Sequence, residues 1–208
     1  SDMIIILVIL AALAPAAWLL WTIYQKDSDQ PEPKKWLAKG FVYGIGSAFL
    51  SLAISMPASM VLGMNIDNQV YSTFVEAVGD PFFDEHFDGI VYAVCVGLGF
   101  AALENVVYLI SGIGDGSWIG VGVTRALFTV PAHYFCAILM GYYYSIYYFG
   151  IDKSVKAKLM VLVSPILAHG IFDSLLFCMR VDEALSGVLM ILFIIYFTKL
   201  RKRATMRI

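Results

Sequence analysis

Glu104, His133, His169 and Asp173 each sit well inside a run of apolar residues long enough to cross a lipid bilayer. An ionisable group at mid-membrane costs about 2.5–3.5 kcal/mol on insertion scales, so such groups normally face a polar interior and work there. General-base catalysis needs a carboxylate or imidazole with a pKa near working pH, which a partly dehydrated membrane site can supply. The same donors also suit a catalytic zinc ion, which commonly takes three protein ligands and a water. The chain has no His-Glu-x-x-His motif, so zinc is the second reading.

Spacing says which elements must position these groups. His169 and Asp173 are one helical turn apart and share a face. Ala93, Gly97, Ala101 and Glu104 fall within about 80° of one another on a helix, and Ala126, Thr129, His133, Ala137 and Gly141 within about 120°. Small residues let membrane helices approach closely, so Glu104 and His133 are expected to point at neighbouring helices and not at lipid. At 1.5 Å per residue, Glu104 lies about 22 Å from Gly89 and His133 about 14 Å from the start of its span. His169 and Asp173 lie about 15 and 21 Å from Leu159 on the same rise. These depths allow one shared site. Glu85 is about 28 Å along the axis from Glu104 and belongs to the membrane interface instead.

The composition agrees with a membrane location. Of 208 residues, 60% are hydrophobic and 14% charged, with a mean hydropathy of +0.79; soluble domains hold about 25% charged residues. The expected fold is all-α, a polytopic transmembrane helix bundle forming a single domain over residues 3–203. Ser1-Asp2 ahead of Met3 reads as an expression remnant. The expected spans are Met3–Tyr24, Gly40–Met64, Gly89–Gly112, Thr124–Phe149, Leu159–Met179 and Ala184–Thr198, each near the roughly 20 residues a bilayer requires. Cys95, Cys136 and Cys178 all fall in apolar runs and read as small core fillers. Tyr142 to Tyr144, with Tyr147 and Tyr148, read as an interfacial aromatic belt. Pro131 and Pro165 are expected to kink their helices beside the histidines. The net charge of −2 and the lack of a basic stripe give no sign of a nucleic-acid partner.

Three segments are basic: Lys26 to Lys39, Lys153 to Lys158, and Lys199 to Arg203. The positive-inside rule would place all three in the cytoplasm, the C-terminal one included. With six spans, the first two fall on opposite sides. One more crossing between Gly63 and Gly89 removes the conflict, yet residues 65–88 are too polar to supply it as written.

Several segments in order are similar to one family. Lys26-Asp27 is followed by Pro31-Glu32-Pro33, then Phe83-Asp84-Glu85-His86-Phe87-Asp88-Gly89-Ile90-Val91-Tyr92, then Gly99-Phe100-Ala101-Ala102-Leu103-Glu104-Asn105. His133 in a Pro-Ala-His context and His169-Gly170 with Asp173 complete the set. Together they resemble the PrsW family of intramembrane proteases, within the wider glutamate-dependent group that includes the CAAX-processing enzymes. One departure is large. The family carries a membrane helix with Glu-Glu-x-x-Lys just before the Phe-Asp-Glu segment, and this sequence has no Glu-Glu pair. Ser72 to Asp80 passes straight into Pro81-Phe82-Phe83-Asp84. The charge parity asks for a helix at the same place. A span of about 20–30 residues is therefore expected to be missing between about Gly79 and Phe82.

The resemblance implies hydrolysis of peptide bonds in single-pass, membrane-anchored substrates, anti-sigma factors among them, in a bacterial inner membrane. It implies no metal cofactor: a glutamate of the Glu-Glu pair and a histidine would activate water. His133 and His169 would be the histidines, Asp173 would orient His169, and Glu104 and Glu85 join them as candidates. Asn105 is a candidate oxyanion donor, with Asp84 and Asp88 in support. Plainer readings exist for each. His133 and Glu104 suit a structural polar network between helices, and the Asp84, Glu85 and Asp88 cluster suits a helix N-terminus in water, where acids favour the dipole. An ion-coupled carrier or a helix-binding protein would use the same cavity without chemistry.

Overall fold

A computed structural model describes residues 2–27, 31–58, 83–179 and 181–206. Six long helices account for most of them: α1 (Asp2–Tyr24), α2 (Lys34–Ala58), α3 (Asp88–Ser111), α5 (Val130–Tyr148), α6 (Val155–Cys178) and α7 (Glu183–Met206). A short helix α4 (Trp118–Thr124) runs through a π-helical turn (Arg125–Thr129) into α5. Four segments are long and apolar enough to cross a membrane among the described residues: α1, α3, Trp118–Tyr148 and α6. Several elements begin earlier than the apolar runs suggest. α2 starts at Lys34 and not Gly40 because Pro33 leads into its first turn and accepts the Trp36 N–H. Lys39 then lies over the Trp36 ring, which lets a basic turn remain helical.

α3 is the core of the bundle. It is apolar all round and packed by α1, α2 and α5; every residue from Asp88 to Ala102 is buried. Its glycines set the spacing. A Cβ on Gly99 would collide with the Phe41 carbonyl of α2, and one on Gly44 of α2 with the Val96 carbonyl. On the other side, a Cβ on Gly97 would lie 2.8 Å from that of Ala137. The small-residue faces expected around Glu104 and His133 are thus the contact between α3 and α5. Gly99→Val is expected to push α2 off α3 and to cost about 1–3 kcal/mol, as overpacking does, read as a lower thermal midpoint in detergent.

Helix directions follow from these contacts. Gly40 meets Cys95 and Gly44 meets Val96 and Phe100, so α2 and α3 run parallel. Asn105 reaches Ala12, while Tyr92 reaches Glu32 beyond the end of α1, so α1 runs antiparallel to α3. All three basic segments consequently gather at one end. Lys26 is close enough to Arg201 and Lys202 that burial, with their charge, lowers its pKa from the ordinary lysine value. Near Lys153, whose ammonium bonds the Tyr148 carbonyl, Phe83 packs on Tyr148 and Phe149.

The charge conflict therefore has a structural answer. α2 ends at Ala58, about 21 Å beyond Gly44 at 1.5 Å per residue, whereas α3 starts at the basic end. Parallel neighbours of this kind require a net crossing by the chain between them. The expected missing helix between Gly79 and Phe82 lies outside the described residues. Two plainer expectations change. Cys95 and Cys136 are buried, but Cys178 is exposed near the end of α6 and fills no core. Asp88 is not an acid in water at a helix start, because it is wholly buried.

Candidate functional site

The polar groups of three helices meet in the half of the bundle away from the basic end. On α3, Glu104 lies about 24 Å from Asp88 along the axis. Its Oε2 accepts from Arg125 Nη2 at 2.6 Å and lies 3.0 Å from His133 Nε2. The His133 and His169 rings are 5.1 Å apart between centroids. His169 Nδ1 in turn lies 2.9 Å from Asp173 Oδ2. The result is a line of two adjacent imidazoles with a carboxylate at each end, buried at Arg125 and open at Asp173, whose side chain is 58% exposed.

Local sequence explains how these side chains are held. Pro131 has no N–H to give the carbonyl one turn earlier. The chain adapts with a π turn, in which Val130 N–H bonds the Arg125 carbonyl. Such turns often mark functional positions. This one starts at Arg125, a residue the sequence pattern did not single out. Arg125 is buried, donates Nε to Asn105 Oδ1 at 2.6 Å, and lays its guanidinium 4.2 Å from the Tyr108 ring centroid. The available signal was a cation inside an apolar segment, which calls for a partner.

The remaining candidates are placed differently. Asn105 donates its amide to the Ala12 carbonyl at 3.1 Å, so it ties α3 to α1, and the contacts do not support an oxyanion role. Asp84, Glu85 and Asp88 lie at the basic end, where Asp88 Oδ2 accepts the N–H groups of Asp84 and Glu85. Glu85 is thus far from Glu104, as the spacing requires. An open apolar groove of about 720 Å³ runs between α5, α6 and α7, bordered by Ala168, next to His169 in the chain, but not by His169 itself. Leu167, Ala168, Ile171 and Phe193 line it, and Arg203 closes its basic end.

Fold and site together define a multi-pass α-helical membrane protein with imidazoles and carboxylates paired inside the bundle. Comparison with known proteins is consistent and narrower. Residues 77–200 match the family described as "PrsW family intramembrane metalloprotease". The chain is similar to Protease PrsW of Clostridioides difficile (strain 630), 32% identical over 213 residues, covering 92% of this chain and 87% of the relative. It is also similar to Protease PrsW of Bacillus subtilis (strain 168), 32% identical over 184 residues, covering 81% and 82%. The chain belongs to the PrsW family of intramembrane proteases. No solved structure matches it.

The first alignment holds a further detail. Ninety-two per cent of 208 residues is about 191, so roughly 20 of the 213 aligned positions have no counterpart in this chain.

The family description names a metal, which the residues can be tested against. Glu104 Oε2 already holds a guanidinium at 2.6 Å, and a divalent ion bound there would face that fixed cation. Among the described residues, the acid and imidazole groups close enough to share one ion are Asp27, Glu85 and Asp88, not the histidine group. Among the described residues, those around His133 and His169 do not gather three donors close enough for a catalytic zinc ion.

Proposed function

We propose that the His133–His169 pair is the imidazole half of an intramembrane endopeptidase site, held in place by Glu104 and Asp173. The single observation behind this reading is the 5.1 Å ring separation, with a carboxylate against each imidazole. Arg125 neutralises Glu104, so Glu104 serves to orient His133 and is not the base. Asp173 does the same for His169.

The base is a carboxylate brought by the family's Glu-Glu-x-x-Lys helix. It takes a proton from water, whose oxygen adds to the peptide carbonyl carbon. An imidazolium then gives a proton to the departing amine nitrogen. The apolar groove between α5, α6 and α7 suits a single membrane helix of a substrate such as an anti-sigma factor. The basic end is the cytoplasmic one by the positive-inside rule, which puts the C-terminus there too.

This sequence has no Glu-Glu pair to supply that carboxylate, and about 20 positions of the Clostridioides alignment have no counterpart in it. The test uses the chain with a Glu-Glu-x-x-Lys helix inserted between Gly79 and Phe82, co-expressed with a single-pass reporter. His133→Ala and His169→Ala should each lower cleavage about 10²–10⁴-fold, the usual scale for acid–base groups. 1,10-Phenanthroline, which takes zinc and leaves Mg²⁺ and Ca²⁺, should not. Unchanged cleavage in both histidine variants, or its loss with phenanthroline, overturns the reading.

A further inference from the structure

At the basic end the link between α1 and α2 folds over the start of α3. Asp27 and Glu32 in that link are buried, as is Asp88, and Glu85 is half-buried beside them. Two bonds tie its described residues: the Glu32 N–H bonds Asp27 Oδ2 at 3.1 Å, and Tyr92 donates its hydroxyl to Glu32 Oε2 at 2.8 Å. One carboxylate oxygen from each of Asp27, Glu85 and Asp88 lies within 4.8 Å of the other two. That is about the diameter of a Ca²⁺ coordination sphere, with oxygens at 2.3–2.6 Å, and a modest contraction reaches the 2.0–2.1 Å of Mg²⁺.

Clustered acids alone say little, but two buried polar atoms here lack partners. Asp88 Oδ1 has no hydrogen bond, although its residue is fully buried and its other oxygen holds two N–H groups. The Ser145 hydroxyl of α5, also fully buried and without a hydrogen bond, packs against Gly89, the next residue after Asp88. Glu32 and Asp27, both acidic, bear on Asp88. Leaving a carboxylate oxygen buried without a donor costs more than an ordinary lost hydrogen bond. A bound cation supplies positive charge and a coordination bond at once.

We infer that Asp27, Glu85 and Asp88 bind a divalent cation of hard, oxygen-seeking character, Mg²⁺ or Ca²⁺, which clamps the α1–α2 link onto the start of α3. An all-carboxylate donor set excludes a preference for zinc, which favours nitrogen and sulfur. The site is separate from the histidines and stands whether or not the chain cleaves peptides.

The full chain in detergent, stripped with EDTA, is titrated with Tb³⁺, whose luminescence a nearby tyrosine such as Tyr92 sensitises. Saturable emission that Ca²⁺ or Mg²⁺ displaces, with a rise in thermal midpoint on adding the ion back, is expected. The ion that displaces at the lower concentration is the resident one. Glu85→Gln and Asp88→Asn should each weaken binding about tenfold or more, since affinity follows the number of charged ligands. Asp152→Asn, an acid in the exposed loop before α6, should leave it unchanged. If Asp88→Asn fails to fold, the half-buried Glu85→Gln decides alone. Emission that does not saturate, or that survives Glu85→Gln undiminished, overturns the site.

Discussion

Arg125→Ala is expected to destabilise the protein by about 3–5 kcal/mol, the range for removing one member of a buried ion pair. The guanidinium has three engagements: Nη2 to Glu104, Nε to Asn105, and its face to Tyr108. Its loss leaves Glu104 with one neighbour, His133, in a site where the side chains of Arg125 and His133 are 10% and 9% exposed. Glu104 itself is 22% exposed, so water replaces the lost donor only in part. The cost is therefore mainly that of a stranded carboxylate, and a double variant tells this apart from lost packing. Arg125→Leu with Glu104→Leu removes both charges and should recover most of the stability. Arg125→Lys should fall between, because an ammonium does not reproduce the fork that spans Glu104 and Asn105. Chemical denaturation in detergent measures all three. A loss below about 1 kcal/mol for Arg125→Ala would place the pair with exposed ion pairs and remove its claim to hold His133.

The same residue marks the limit of what sequence periodicity reveals. The turn-spaced pair His169/Asp173 and the small-residue faces around Glu104 and His133 are properties of single helices, and the structure has them as the spacing predicts. Glu104 and Arg125 belong to different segments, joined through the loop after α3 and the π turn. No periodic pattern links them; only the need of a membrane-buried cation for a partner does. Asn105 shows the converse. Its neighbour in sequence is Glu104, and the two share Arg125, yet the Asn105 amide N–H goes to the Ala12 carbonyl of α1. Asp88 misleads for a third reason. An acid at a helix start normally faces water, and here Asp88 is buried with Asp27 of a distant part of the chain against it, which no local pattern reveals. The direction of α2 was legible only as a contradiction in loop charge, until Gly44 and Gly99 showed that α2 and α3 run parallel.

Restoring the absent carboxylates should have the largest effect on function. The 208-residue chain is expected to cleave a membrane-anchored reporter at least about 100-fold more slowly than the Bacillus subtilis relative, the lower bound of what a positioned general base contributes. Insertion of a Glu-Glu-x-x-Lys helix between Gly79 and Phe82 should raise cleavage by about 10²–10⁴ on the same scale. Geometry makes the insertion reasonable. The parallel α2 and α3 already demand one net crossing between Ala58 and Phe83, and an added span of about 20 residues is long enough to make it. The helix would then run directly into Phe83, whose ring is held by Tyr144, Tyr148 and Phe149. That anchor fixes where the new segment leaves the basic end, and hence along which side of the bundle it climbs toward His133 and His169. Changing both inserted glutamates to glutamine keeps the span and removes the base, so cleavage should return to that of the uninserted chain. If the chain without the insertion cleaves as fast as the Bacillus relative, the base is already present. Glu104 would then be the first residue to re-examine, with Arg125 as its modulator. If the insertion folds but gives no gain, the two imidazoles are a packing pair, and binding of a membrane helix in the groove between α5, α6 and α7 becomes the activity to measure.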